Sequence, residues 1–187
     1  MLLLLASLLA AAPLPSPADT GRTKNGVTMP ETIDIDGKTL HLNGMALRKK
    51  FIIKVYVAGL YLSTKSSNPQ QILDADAPRQ MLMHFISGHG TKSKICGAWN
   101  DGLEDNTPGA SAELKQQFTD LCGMMVDIKD GESLVITYMP ESGTKIEIAG
   151  TERGMIAGKA FADALLRCWI GPKPGPGDGF KNDVLGG

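Results

Sequence analysis

FIIKVYVAGLYL, residues 51–62, is the stretch on which the fold turns. It is rich in β-branched and aromatic residues, which suit a pleated, packed surface, and it reads as the best strand of the chain. Its near-continuous apolarity predicts a central strand. Gly59 within it points to a bulge or to a close approach by a ligand or another backbone. Upstream, residues 32–36 and 39–43 alternate around a turn at Gly37-Lys38, the pattern of a β-hairpin, and residues 44–48 read as a connecting loop.

Downstream, residues 68–74 predict a short helix opened by Asn68-Pro69, and residues 80–86 (QMLMHFI) a strand. The period then changes. Ile95, Trp99 and Leu103 recur every four residues over 91–104. Leu114, Phe118, Leu121, Cys122 and Met125 keep a helical face over 111–125 at spacings of three and four, with a Pro-Gly loop between the two segments. A helical hairpin laid over the sheet is expected. Residues 132–139 and 144–149 predict a second β-hairpin. Residues 158–170 predict a last long helix with Phe161, Leu165 and Trp169 on one face, broken by the Gly-Pro run after Ile170, and 180–185 read as one packed turn of helix. Strands arriving mostly as hairpins predict a largely antiparallel sheet with helices on one side, an α+β domain.

The N-terminus reads MLLLLASLLAAAPLPSPADT. Its apolar run is too short to span a bilayer and ends in Ser16-Pro17-Ala18, the small-x-small shape of a signal-peptidase site, so residues 1–18 are expected to be a signal peptide. No Lys or Arg precedes the run. Residues 19–26 are polar and read as a flexible segment, leaving one domain over 27–187. A protein exported across the inner membrane to the periplasm is the expectation.

Nineteen basic residues against twenty acidic ones leave a net charge of −1, which argues against a nucleic-acid partner. No polybasic run suggests a membrane anchor. His41, His84 and His89 are scattered, no phosphate-loop or dinucleotide motif occurs, and neither a metal nor a cofactor is expected. Of three cysteines, Cys168 reads as core, while Cys96 and Cys122 come from the two hairpin helices and leave a bridge between them open. Arg48 invites two readings. On spacing alone it is first a solvated loop residue of Arg48-Lys49-Lys50; the alternative is an anion anchor, holding a carboxylate or phenolate with a second hydrogen bond from Tyr56 or Tyr61.

The block NGMALRKKFIIKVYVAGLYL resembles the most characteristic part of the chalcone isomerase-like superfamily. QMLMHFISG, SKICGAWNDGLEDN and the closing stretch from Gly131 to Pro174 follow in the family's order, closest to its bacterial exported branch. The resemblance implies an open-faced β-sandwich with a cleft between a large antiparallel sheet and a helical layer. In the plant enzymes an Arg positions a phenolate, and Thr and Tyr, partly through water, stabilise the developing enolate; related noncatalytic members bind fatty acids through Arg and Tyr. Arg48 matches the family's Arg, and Tyr56 falls where the enzymes carry Thr. SGHGTKSKICGAW holds neither the enzymes' catalytic Tyr nor their Asn, and His89 or Lys94 could replace them only by changing the chemistry. Each missing donor would remove about 2.7–4 kcal/mol of transition-state stabilisation, by analogy with oxyanion holes.

The implied function is therefore a noncatalytic binder of a fatty acid or similar apolar carboxylate through Arg48, Tyr56 and Tyr61. The alternative is an isomerase cyclising a chalcone-like ketone with Arg48 as its catalytic residue. A third reading is an interaction module whose cleft is filled by Met45, Met83 or Met155.

Overall fold

The computed structural model describes residues 21–187; the expected signal peptide, residues 1–18, lies outside them. Seven strands form one antiparallel meander in chain order: β3 (Thr32–Ile35), β4 (Lys38–Lys50), β5 (Ile53–Leu62), β6 (Arg79–Phe85), β7 (Ser133–Met139), β8 (Gly143–Ile148) and β9 (Thr151–Ile156). A separate hairpin, β1 (Gly21–Lys24) with β2 (Val27–Pro30), precedes them. Helices α1 (Pro69–Asp74), α2 (Lys92–Asn106), α3 (Ala112–Met124), α4 (Lys159–Ile170) and α5 (Asp178–Val184) supply the helical layer.

The main core lies between sheet and helices. Ala58, Leu60 and Leu62 of β5, Met81, Met83 and Phe85 of β6, and Leu134 and Ile136 of β7 meet Trp99, Leu103, Phe118, Leu121, Phe161, Leu165 and Trp169 from α2, α3 and α4. Each large side chain fully buried here contributes about 1.5–3 kcal/mol. The helical periods read from the sequence therefore mark the faces that pack. Local capping agrees: the Asn68 side chain accepts from the backbone N–H groups of Gln70 and Gln71, and the Ser111 hydroxyl from Leu114.

A smaller core occupies the opposite face of the sheet. Met29 is packed there against Leu40, Leu42, Met45, Val57 and Tyr61. At Gly59 the sequence suggests a bulge or a ligand or backbone approach; the close neighbour is instead a side chain, since a Cβ there would collide with the Met29 sulfur. The occupant is the β1–β2 hairpin.

Two expectations are corrected, and one strand is added. Residues 21–24, read as part of a flexible segment, form strand β1, and Arg22 pairs with Glu31 at 3.0 Å to hold it. Residues 44–48, read as a loop, continue β4. A bulge at Asn43 hides this continuity, because Leu42 opposes Tyr61 while Gly44 opposes Leu60, so the inward parity changes at that point. The Asn43 side chain fixes the bulge, donating to the carbonyls of Ser66 and Val184 and accepting from the Ser66 N–H. The last strand, β9, was not anticipated; it is mostly exposed and shows little apolar alternation.

Candidate functional site

A cavity of about 320 Å³ opens between the β4–β5 end of the sheet and the N-terminal half of α2. Val55, Met83, Phe85, Ile95, Trp99 and Leu134 make its wall predominantly apolar. The polar groups are few: Arg48 and Tyr56, with Lys50, His89 and Lys94. Lys50, His89 and Lys94 are exposed, whereas Arg48 and Tyr56 are half-buried.

Arg48 and Tyr56 are directly opposed in the β4–β5 ladder, so both side chains leave the sheet on the helix-facing side. A second bulge follows at once, since Lys49 opposes Lys54 and Val55 is the extra residue. Two consecutive residues, Val55 and Tyr56, consequently line the same cavity. Among the described residues Arg48 has no ion pair and no hydrogen-bond partner, although Arg22, Arg79 and five lysines do form salt bridges. A guanidinium carries five donors and a permanent charge. Placed half-buried against an apolar wall without a carboxylate, it is equipped to receive an anion.

Tyr56 is held from behind. The indole Nε1 of Trp169 donates to its hydroxyl oxygen at 3.0 Å, and Phe85 and Phe180 flank the ring at centroid distances of 5.3 and 6.1 Å. Burial pushes the phenol up to about 12, against the opposing effects of the Trp169 hydrogen bond and the Arg48 charge. Tyr56 is therefore a neutral hydroxyl at physiological pH, its oxygen accepting from the indole and its proton free to be donated.

Tyr61 is not part of this site. It lies on the other face of the sheet, fully buried in the smaller core, with its hydroxyl donating to the Pro30 carbonyl at 2.9 Å. Tyr56 and Tyr61 are five residues apart in one strand, and an odd separation places them on opposite faces. The cavity is also not filled by methionines: Met83 forms part of its wall, Met45 belongs to the opposite core, and Met155 is exposed. Sequence reasoning missed Phe85, Leu134 and Ile95 as lining residues. The alternation of QMLMHFI could have nominated Met83 and Phe85, but nothing local signals that Trp169 reaches Tyr56.

A family model described as chalcone isomerase-like matches residues 21–186. The chain belongs to the chalcone isomerase-like family. Its structure is similar to the crystal structure of an Arabidopsis thaliana fatty-acid binding protein, with a TM-score of 0.71 at 18% sequence identity, covering 89% of this chain and 96% of that one. Likeness at this identity speaks for the fold. No curated protein matches in sequence. The chalcone isomerase-like architecture accounts for the placement of the site: a curled antiparallel sheet carries Arg48 and Tyr56, and the helical layer closes over them.

Among the described residues, no histidine, cysteine and carboxylate side chains cluster as a metal site would require. The cavity lining includes no Thr or Asn, and Tyr56 is its one tyrosine.

Proposed function

We propose that this protein binds an amphiphilic carboxylate of the fatty-acid type, one molecule per cavity. The observation that carries this reading is Arg48, a half-buried guanidinium without an acidic partner in an apolar cavity. Its fork receives the carboxylate, the Tyr56 hydroxyl donates beside it, and the acyl chain lies against Val55, Met83, Phe85, Ile95 and Leu134. A volume of about 320 Å³ falls at the small end of ordinary ligand pockets, about 300–1,000 Å³, which favours a single slender chain over a bulky polycyclic ligand. The fatty-acid binding described for the Arabidopsis relative agrees with this reading.

The test is mass spectrometry of small molecules extracted from the folded protein, with Arg48→Ala purified in parallel, followed by titration of a defined fatty acid. Loss of a charged hydrogen-bonding partner predicts about 10- to 100-fold weaker binding in the variant. Wild-type protein that carries no lipid, together with unchanged affinity in Arg48→Ala, would sink the proposal.

Arg48 would equally position a phenolate, which keeps an isomerase of chalcone-like ketones as the second reading. It requires turnover above the spontaneous rate, abolished in Arg48→Ala. We also propose that the chain is a bacterial exported protein, on the strength of residues 1–18. Cell fractionation with N-terminal sequencing tests this: a mature chain in the periplasm beginning after Ala18 supports it, and a cytoplasmic chain retaining residues 1–18 contradicts it.

A further inference from the structure

The β4–β5 hairpin ends in a two-residue turn, with Lys50 paired to Ile53 and Phe51-Ile52 at the tip. Phe51 is 91% exposed and Ile52 95% exposed. Phe51 also adopts a φ of 56°, a left-handed conformation that suits Gly, Asn or Asp and penalises a bulky side chain. Neither backbone preference nor burial in the fold accounts for these two residues. They stand among the exposed Lys49, Lys50 and Lys54. In the sequence Phe51-Ile52-Ile53 separates these lysines, so no polybasic run stands out; the hairpin brings them together around one apolar tip. The tip adjoins the cavity, because Lys50, Phe51 and Ile53 also line its mouth.

We propose that this tip docks the protein on an anionic lipid surface, with Phe51 and Ile52 inserted among the acyl chains and the lysines against the headgroups. Exposed apolar side chains ringed by lysines complement both zones of such an interface. The position at the cavity mouth adds a consequence, which rests on the ligand reading above: an amphiphile could pass between bilayer and cavity while its apolar chain stays shielded from bulk water. Docking by a short tip is reversible and involves no membrane-spanning segment; among the described residues no helix is long and apolar enough to cross a membrane.

The experiment measures binding of the whole protein, stripped of ligand, to vesicles of equal parts phosphatidylcholine and phosphatidylglycerol, and to vesicles of phosphatidylcholine alone. Wild type should bind the mixed vesicles more tightly, and added salt should weaken the binding as screening increases. Ile52→Asp and Lys49→Glu/Lys54→Glu change residues that do not line the cavity. Each should weaken vesicle binding at least about tenfold, with fatty-acid affinity in vesicle-free solution unchanged. Arg48→Ala should do the reverse, losing the fatty acid and keeping the vesicles, so failure of the docking proposal and failure of the ligand reading are separable. Docking is overturned if wild type ignores mixed vesicles, or if Ile52→Asp binds them as wild type does. It is likewise overturned if the tip proves to mediate self-association, with sedimentation showing a dimer that Ile52→Asp dissociates and no binding to vesicles.

Discussion

Arg48 and Tyr56 face one another across the β4–β5 ladder, one bulge before them and one beside them, with the Trp169 indole hydrogen-bonded to the phenol from behind. The first bulge sets their face. Leu40 and Leu42 point into the smaller core, and strict alternation would send Arg48 the same way; the extra residue at Asn43 turns it toward the helices. The polar end of the cavity thus depends on a one-residue insertion in a thirteen-residue strand.

Tyr56→Phe tests the hydroxyl's two roles separately. Affinity for a fatty acid should fall about tenfold through loss of one hydrogen bond to a charged group. Stability should fall by about 1–3 kcal/mol, because the Trp169 N–H loses its acceptor in a packed aromatic setting. Trp169→Phe in the same chain should recover part of that loss, giving a non-additive double-mutant cycle in urea denaturation. Additive effects would show that the pair is not coupled.

Arg79 should be a stability residue with no part in binding. It is 5% exposed, its guanidinium pairs with Asp163 at 2.5 Å and lies 4.8 Å over the Tyr138 ring, and Lys159 joins Asp163 at 2.6 Å. Arg79→Met should cost about 1–3 kcal/mol, because Asp163 keeps Lys159 but loses its charged hydrogen-bond donor. Asp163→Leu added to it should restore part of the loss. Equilibrium denaturation of the two variants decides the point, and a fatty-acid titration should find Arg79→Met unchanged at temperatures where it remains folded.

Alkaline pH should destabilise the fold. Tyr56 and Tyr138 are raised from an ordinary value of 10.0 to about 12, and Cys168 from 9.0 to about 12, with burial the largest cause in each. Raised values mean that the folded state holds its protons more tightly than the unfolded chain does. This contribution is complete below about pH 9 and is lost progressively as pH rises toward 12. Urea midpoints measured upward from neutral pH should fall through that window, and Tyr56→Phe should have a shallower slope than wild type. A flat profile would contradict the assignment.

Cys96 on α2 and Cys122 on α3 are both half-buried free thiols that interact with each other, and burial together with Cys96 pushes Cys122 up to about 12. Cys122 is therefore rarely ionised at neutral pH, and oxidation of the pair should speed up as alkaline conditions supply thiolate. Glutathione disulfide should yield a Cys96–Cys122 bridge, two hydrogens lighter, with release of two equivalents of glutathione and Cys168 left as a thiol. Peptide mapping after alkylation reads the pairing. A bridge closing this loop should add about 3 kcal/mol of stability. Recovery of Cys168 in a disulfide would refute the prediction.

Much of the architecture was legible in the chain because it rests on local periods. The four-residue spacing of Ile95, Trp99 and Leu103 and the run Phe161, Leu165 and Trp169 anticipate helices that pack by those faces. The apolar density of residues 51–62 anticipates a central strand, and β5 is one, third in the order of seven. Family resemblance singled out Arg48 and Tyr56, and the parity of β5 could already have set Tyr61 aside. Strand β9 escaped notice because an exposed edge strand has little apolar alternation to display.

The sequence by itself therefore determined most of the element types, the α+β class and the presence of an arginine next to a long strand, since these follow from residue type and short-range spacing, and its blocks in their order carried the resemblance to the family. Only the tertiary structure decided that Arg48 faces the cavity, that Trp169 orients Tyr56, and that Lys49, Lys50 and Lys54 stand around an exposed Phe51-Ile52 tip. The physical reason is the same in each case. A bulge reverses strand parity through one residue with no compositional mark, a hydrogen bond across 113 positions leaves no local trace, and a hairpin gathers charges that the chain holds apart.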